Sequence, residues 1–138
     1  MTETTATRRA MQDASIPVVA VVDDDRVVLE SLVNLLESGG FHASVFTSGK
    51  DFLDSGVLGS IGCLIADIRM SGIDGWELAA RVSEARPGLP VIFITGHDST
   101  AAQVQSAGRE MLPGRLFRKP FDGQQLLTAI GLALEVAQ

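Results

Sequence analysis

Three acidic residues, Asp23, Asp24 and Asp25, stand side by side directly after the apolar run VVAVV (18–22). Like charges that close repel, and partial burial raises the cost. A surface loop could scatter them in water, whereas a cluster aimed at one point implies a cation. Similar junctions recur along the chain. Asp67 follows IGCLIA (61–66), Thr95 and Gly96 close VIFIT (91–95), and Arg118, Lys119 and Pro120 follow RLF (115–117), while HASVF (42–46) leads only into Thr47 and Ser48. A single aspartate after a strand is usually a turn former or helix cap, and a single threonine is usually a β-branched strand residue. Together they deliver carboxylates, a hydroxyl and an ammonium to the ends of four strands.

The chemistry of these groups converges. Three carboxylates near one point form an oxygen-rich site for a hard divalent ion such as Mg²⁺, which takes a few carboxylates and keeps waters. A carboxylate is also a nucleophile towards phosphorus, giving an aspartyl phosphate. The protein then has to position the phosphoryl group and neutralise its charge. Lys119 and the metal would supply positive charge, and the Thr95 hydroxyl a hydrogen bond.

The elements that must position these groups alternate. Helical patterns fall between the five strand-like runs. Val28, Leu32, Leu35 and Leu36 line one face of a first helix that ends at SGG (38–40). Ser48 with Asp51 resembles a capping box for a second, and Gly75 to Arg86 makes a third, stopped by Pro87-Gly88. Thr100 with Gln103 starts a fourth, and Asp122 caps a fifth in which Leu127, Ile130 and Leu134 share a face. This alternation predicts an α/β fold, with a parallel sheet covered by helices on both faces and function at the carboxyl ends of the strands.

The bulk composition narrows the function. The 138 residues are 46% apolar and 20% charged, which suits one globular domain. A net charge of −6 with no Lys/Arg cluster argues against direct nucleic-acid binding. Cys63 is the sole cysteine, so neither an intrachain disulfide nor a CxxC metal site exists. No apolar run nears the ~18 residues that span a bilayer. Residues 1–15 are polar, lack a signal-peptide core and are expected to form a flexible tail, with the folded domain over 16–138. A cytoplasmic protein without membrane contact is expected.

VVDDD, LIADIRMSGIDGWEL, VIFITGH and RKPF resemble the receiver domain of two-component response regulators, and the resemblance covers roughly residues 16–137. It implies a flavodoxin-like sheet of order 2-1-3-4-5 with five helices, the doubly wound order of this family's chemotaxis member. It implies Asp67 as phosphoacceptor, Asp23 and Asp24 as the acidic metal-binding pair, and the Arg69 carbonyl as a further ligand of Mg²⁺. Thr95 matches the switch hydroxyl, and Lys119, before a cis Pro120, the phosphate-binding lysine. The implied partner is a histidine kinase or histidine phosphotransfer protein. The implied output is a phosphorylation-dependent change in protein–protein contacts, with room for a phosphorylation-dependent dimer. With the last helix ending near Gln138, a stand-alone regulator without a DNA-reading domain is expected.

The pattern departs in places. Ser71 stands where the family usually has proline, which predicts a looser loop, although Gly75 is as expected. Leu116 occupies the position of the family's switch aromatic, and strand alternation sends the adjacent Phe117 to the opposite face. Readout through the loop Gly108–Arg115 is the expected substitute. Arg69 and His97 fall where the family tunes aspartyl-phosphate lifetime; His97 is read as a plain loop residue and His42 as structural, while Trp76 packs at the head of the third helix. Two other functions compete. VVAVVDDDRV also fits the D-x-D-x-[TV] signature of haloacid-dehalogenase-type phosphatases, with Asp23 as nucleophile and Asp25 as acid/base. That assignment leaves Asp67 idle. A receiver fold serving as a scaffold, its acceptor unused, is the third.

Overall fold

A computed structural model describes residues 16–96 and 115–137. Five parallel strands, β1 (Val18–Val22), β2 (His42–Phe46), β3 (Cys63–Asp67), β4 (Val91–Thr95) and β5 (Leu116–Arg118), form one sheet of order β2-β1-β3-β4-β5. The expected α/β architecture and strand order are both present. Four α-helices are described: α1 (Arg26–Ser38), α2 (Gly49–Ser55), α3 (Gly75–Ala85) and α4 (Gly123–Ala137), with a 3₁₀ turn at Val57–Ser60. The remaining expected helix, from Thr100, lies outside the described residues, as do the tail 1–15, His97 and Gly108 to Gly114 of the proposed readout loop.

The uninterrupted apolar strands follow from burial on both faces. Along β1 the pleat sends Val19 and Val21 to one side of the sheet and Ala20 and Val22 to the other. The first side packs on Leu29, Leu32 and Leu36 of α1 and on Leu126 and Ile130 of α4. The second packs on Phe52 of α2 and on Leu78 and Val82 of α3. Both cores therefore pass through β1 and β3, and the residue that follows or ends each of these strands is held rigidly.

Short polar signals fix the helix ends. Asp25 caps α1, its Oδ1 accepting from Val27 N–H at 2.9 Å and Val28 N–H at 3.4 Å. Gly40, at φ +88°, turns the chain out of α1 towards β2. Ser48 Oγ accepts from Asp51 N–H at 3.1 Å, and Asp122 Oδ1 accepts from Gln124 and Gln125 N–H at 2.8 and 3.1 Å.

Three expectations shift in detail. β3 begins two residues later than IGCLIA, because Gly62 donates to Val18 O before the ladder starts, and it includes Asp67. On α1 the fully buried positions are Leu29, Leu32 and Leu36, with Val28 and Leu35 half-buried at the margin. On α4 they are Leu126, Ile130 and Ala133, with Leu127 and Leu134 half-buried. A helix can rotate by part of a residue step without spoiling its apolar periodicity, so only the packing partner sets the phase. Among the described residues no helix is long and apolar enough to cross a membrane.

Leu126 is fully buried and Leu132, on the same helix, is 58% exposed. Leu126→Ala is expected to lower unfolding free energy by about 2–5 kcal/mol, and Leu132→Ala by no more than about 0.5 kcal/mol. Urea titrations of the two variants check this, and equal losses would contradict the assigned phase of α4.

Candidate functional site

The sheet order puts β1 beside β3 and β3 beside β4, so the ends of those strands share one rim. Asp23 follows β1 and is anchored there, its N–H donating to Phe46 O at 3.1 Å. Asp67 ends β3, in register with Ile94 of β4. Thr95 ends β4, and its carbonyl accepts from Lys119 N–H at 2.8 Å. Asp23, Asp67 and Thr95 are the buried polar or charged residues among those described.

Each of the two buried carboxylates is held in the same way. Asp23 Oδ1 accepts from Asp25 N–H at 2.9 Å, and Asp67 Oδ1 accepts from Arg69 N–H at 3.1 Å. In both, the aspartate bonds the backbone two residues on, the Asx geometry that ends a strand in a turn. Both free oxygens then face one ammonium. Lys119 Nζ lies 2.9 Å from Asp23 Oδ2 and 3.2 Å from Asp67 Oδ2. Asp24 is exposed, yet one oxygen from each of Asp23, Asp24 and Asp67 falls within 4.8 Å of the others.

Two buried oxygens here lack hydrogen-bond partners: Asp23 Oδ2, whose contact with Lys119 is an ion pair without hydrogen-bond alignment, and Thr95 Oγ1. Asp23 Oδ2 is satisfied in charge by the ammonium, whereas buried hydroxyls ordinarily find a partner, so the Thr95 hydroxyl at this charged rim points to a ligand. The electrostatics agree. Burial raises the Asp67 carboxyl to about 6, the Asp23 charge adding in the same direction against the lowering influence of Lys119. Burial lowers the Lys119 ammonium, but bonding to Asp23 and the charges of Asp23 and Asp67 outweigh it, so its net shift is upward. One ammonium is shared by two carboxylates, with Asp24 beside them. An oxygen-rich, under-neutralised set of this kind fits a hard divalent ion.

The structure thus brings together Asp23, Asp24, Asp67 and Lys119 as the sequence suggested, with Thr95 at the end of the neighbouring strand. The Arg69 backbone is next to Asp67 through its N–H. Asp25, the acid/base of the phosphatase alternative, caps α1 through Oδ1. Lys119–Pro120 is the cis bond expected. Leu116 packs with Phe93 and Ile68 on one face of the sheet, whereas Phe117 joins the α1/α4 core on the other, as alternation requires. Trp76 lies against Phe93, with ring centroids 4.5 Å apart. The sequence marked Gly75 as matching the receiver pattern but gave no reason for it: a Cβ there would fall 2.5 Å from the Asp67 carbonyl oxygen. Beyond that resemblance, the signal was the glycine's place at the head of a helix eight residues after Asp67.

Comparison with known proteins agrees with this geometry. Transcriptional regulatory protein FixJ of Azorhizobium caulinodans is 38% identical over 116 residues, covering 84% of this chain and 54% of that protein. Response regulator protein TmoT of Ectopseudomonas mendocina is 37% identical over 131 residues, covering 94% and 58%. The chain therefore spans about half the length of the curated relatives it matches. Among solved structures, response regulator StyR superposes with a TM-score of 0.73 at 37% identity, over 88% of this chain and 61% of that one. A response regulator receiver protein from Sinorhizobium medicae gives 0.75 at 29%, over 89% and 98%. The model of the response regulator receiver domain matches residues 19–131, and with these relatives it establishes that the chain belongs to the receiver domain family of two-component response regulators.

Proposed function

We propose that this receiver domain accepts a phosphoryl group on Asp67 from a phosphohistidine of a histidine kinase or phosphotransfer protein, and that the modification alters its affinity for a protein partner. The observation that carries this is the pairing of Asp67 and Asp23 on a single Lys119 ammonium, at 3.2 and 2.9 Å. Asp67 is the residue of that pair that lies within β3, at the centre of the sheet, with β1 and β4 on either side. In the transfer, an Asp67 oxygen bonds to phosphorus, the phosphorus–nitrogen bond breaks, and the imidazole keeps the electron pair.

A Mg²⁺ ion held by Asp23, Asp24, Asp67 and the Arg69 carbonyl would neutralise charge around the incoming phosphoryl group. Lys119 already sits at the acceptor and is suited to follow the charge onto a phosphoryl oxygen. The Thr95 hydroxyl, buried and without a partner, is a donor with no competing bond to break. Together they would shift an equilibrium between two arrangements of the domain and so change the surface around β5 and α4 that a partner meets. The net charge of −6 supports output through a protein contact by this domain rather than a nucleic-acid contact. FixJ is named a transcriptional regulatory protein, so a longer protein carrying this domain would couple the same event to transcription.

With Mg²⁺ and acetyl phosphate, the wild type is expected to take up label, Asp67→Asn to take up none, and Lys119→Ala to react about 10²-fold more slowly. Labelling of Asp67→Asn at the wild-type rate, or labelling unaffected by chelator, would overturn the assignment. Stability gives an independent check. Because folding raises the Asp67 carboxyl from its usual 3.8 to about 6, protonated Asp67 favours the fold. That contribution is complete below the usual value and is lost as pH rises through about 6. Metal-free wild type should therefore lose stability relative to Asp67→Asn between about pH 4 and pH 6, as followed by urea unfolding. Millimolar Mg²⁺ at pH 7.5 should recover it in the wild type and less so in the variant.

A further inference from the structure

Gly75 opens α3 directly above the backbone of the acceptor. Its N–H donates to Ile68 O at 2.9 Å, while Ile68 N–H donates to Ile94 O of β4 at 2.9 Å. The Ile68 backbone is thus gripped from two sides. A Cβ at position 75 would lie 2.5 Å from the Asp67 carbonyl oxygen, 2.8 Å from Ile68 Cα and 3.0 Å from the Asp67 carbonyl carbon. All three are main-chain atoms, which cannot swing aside. By contrast, the close neighbours of Gly39 and Gly62 are the tips of the Leu127 and Leu134 side chains, and Gly88 faces open space. Gly75 has an ordinary negative φ, so close approach rather than backbone conformation demands glycine here.

We propose that Gly75 is a positioning residue for the phosphoacceptor. Its missing side chain lets the first turn of α3 clamp the Asp67–Ile68 peptide. The clamp sets where Arg69 lies, and Arg69 N–H in turn fixes the Asp67 carboxylate through its 3.1 Å bond to Oδ1. The Arg69 carbonyl, on the same short segment, is placed by the same contact. This inference rests on the reading of Asp67 as a metal-assisted phosphoacceptor. A methyl group at position 75 must move α3 or the peptide beneath it, because packed backbone has no slack to absorb it.

The test compares Gly75→Ala with Val82→Ala, which removes buried methyls from the same helix without touching the clamp. In metal-free Gly75→Ala, the Arg69 amide should shift in ¹H–¹⁵N spectra and lose hydrogen-exchange protection. Mg²⁺ affinity and the acetyl-phosphate labelling rate should each fall about 10-fold or more, since sub-ångström misplacement of reacting groups is costly. Val82→Ala should lower the thermal midpoint yet keep the Arg69 amide position and Mg²⁺ affinity within about twofold, because core effects distant from a site leave its geometry intact. Retention of the wild-type Arg69 amide and Mg²⁺ affinity in Gly75→Ala would overturn the inference. A wild type that takes up no label would instead overturn the acceptor reading. Should Gly75→Ala not fold, the wild type alone decides. Saturating Mg²⁺ should slow exchange of the Gly75 and Arg69 amides together, and slowing at Arg69 alone would exclude the clamp.

Discussion

Two carboxylates, Asp23 and Asp67, are buried side by side at the ends of adjacent strands, with one ammonium between them. Everything else at this rim accommodates that arrangement. Removing two negative charges from water costs several kcal/mol each in effective terms, and mutual repulsion adds to it. Lys119 offsets part of the cost, and backbone N–H groups of Asp25 and Arg69 offset more. Burial, with the Asp23 charge, still holds the Asp67 carboxyl above its usual value. A site with residual negative charge and a buried hydroxyl without a partner suits a cation.

The fold supplies the rigidity that such an arrangement needs. β1 and β3 are central strands, buried on both faces, so neither can retreat to relieve the repulsion. The loops that follow them are pinned at once by helix starts: Asp25 caps α1 two residues after Asp23, and α3 begins at Gly75 against the Asp67 backbone. Apolar packing elsewhere supplies the stability that offsets the cost of this buried charge cluster, the usual division between core and site.

The same rim shows how a local event would reach a surface. Lys119 bonds through its backbone to Thr95 and through its side chain to both carboxylates, so it joins β5 to the site directly. With leucine at position 116, packed on Phe93 beside Ile68, no aromatic ring on that face of β5 is available to change rotamer. Any rearrangement of Lys119 must instead pull on the backbone at the start of the loop into α4. Ile68 and Phe93 connect this cluster to Trp76 at the head of α3, next to Gly75.

The sequence by itself determined a parallel α/β sheet, through alternation of apolar runs with helical patterns, and most of the site, because Asp23, Asp67, Thr95 and Lys119 each follow or end a strand; the strand order came from the resemblance to receiver domains. The logic is local: a parallel sheet turns position after a strand into position on one rim. The helix caps at Ser48 and Asp122 were legible for the same reason, since capping depends on residues three apart. The phases of α1 and α4, the entry of Asp67 into β3 and the sharing of Lys119 between two carboxylates were decided only in three dimensions. So was the need for a bare Cα at Gly75. Each depends on which atoms of distant segments meet within a few ångströms, and neither periodicity nor spacing along the chain encodes that distance.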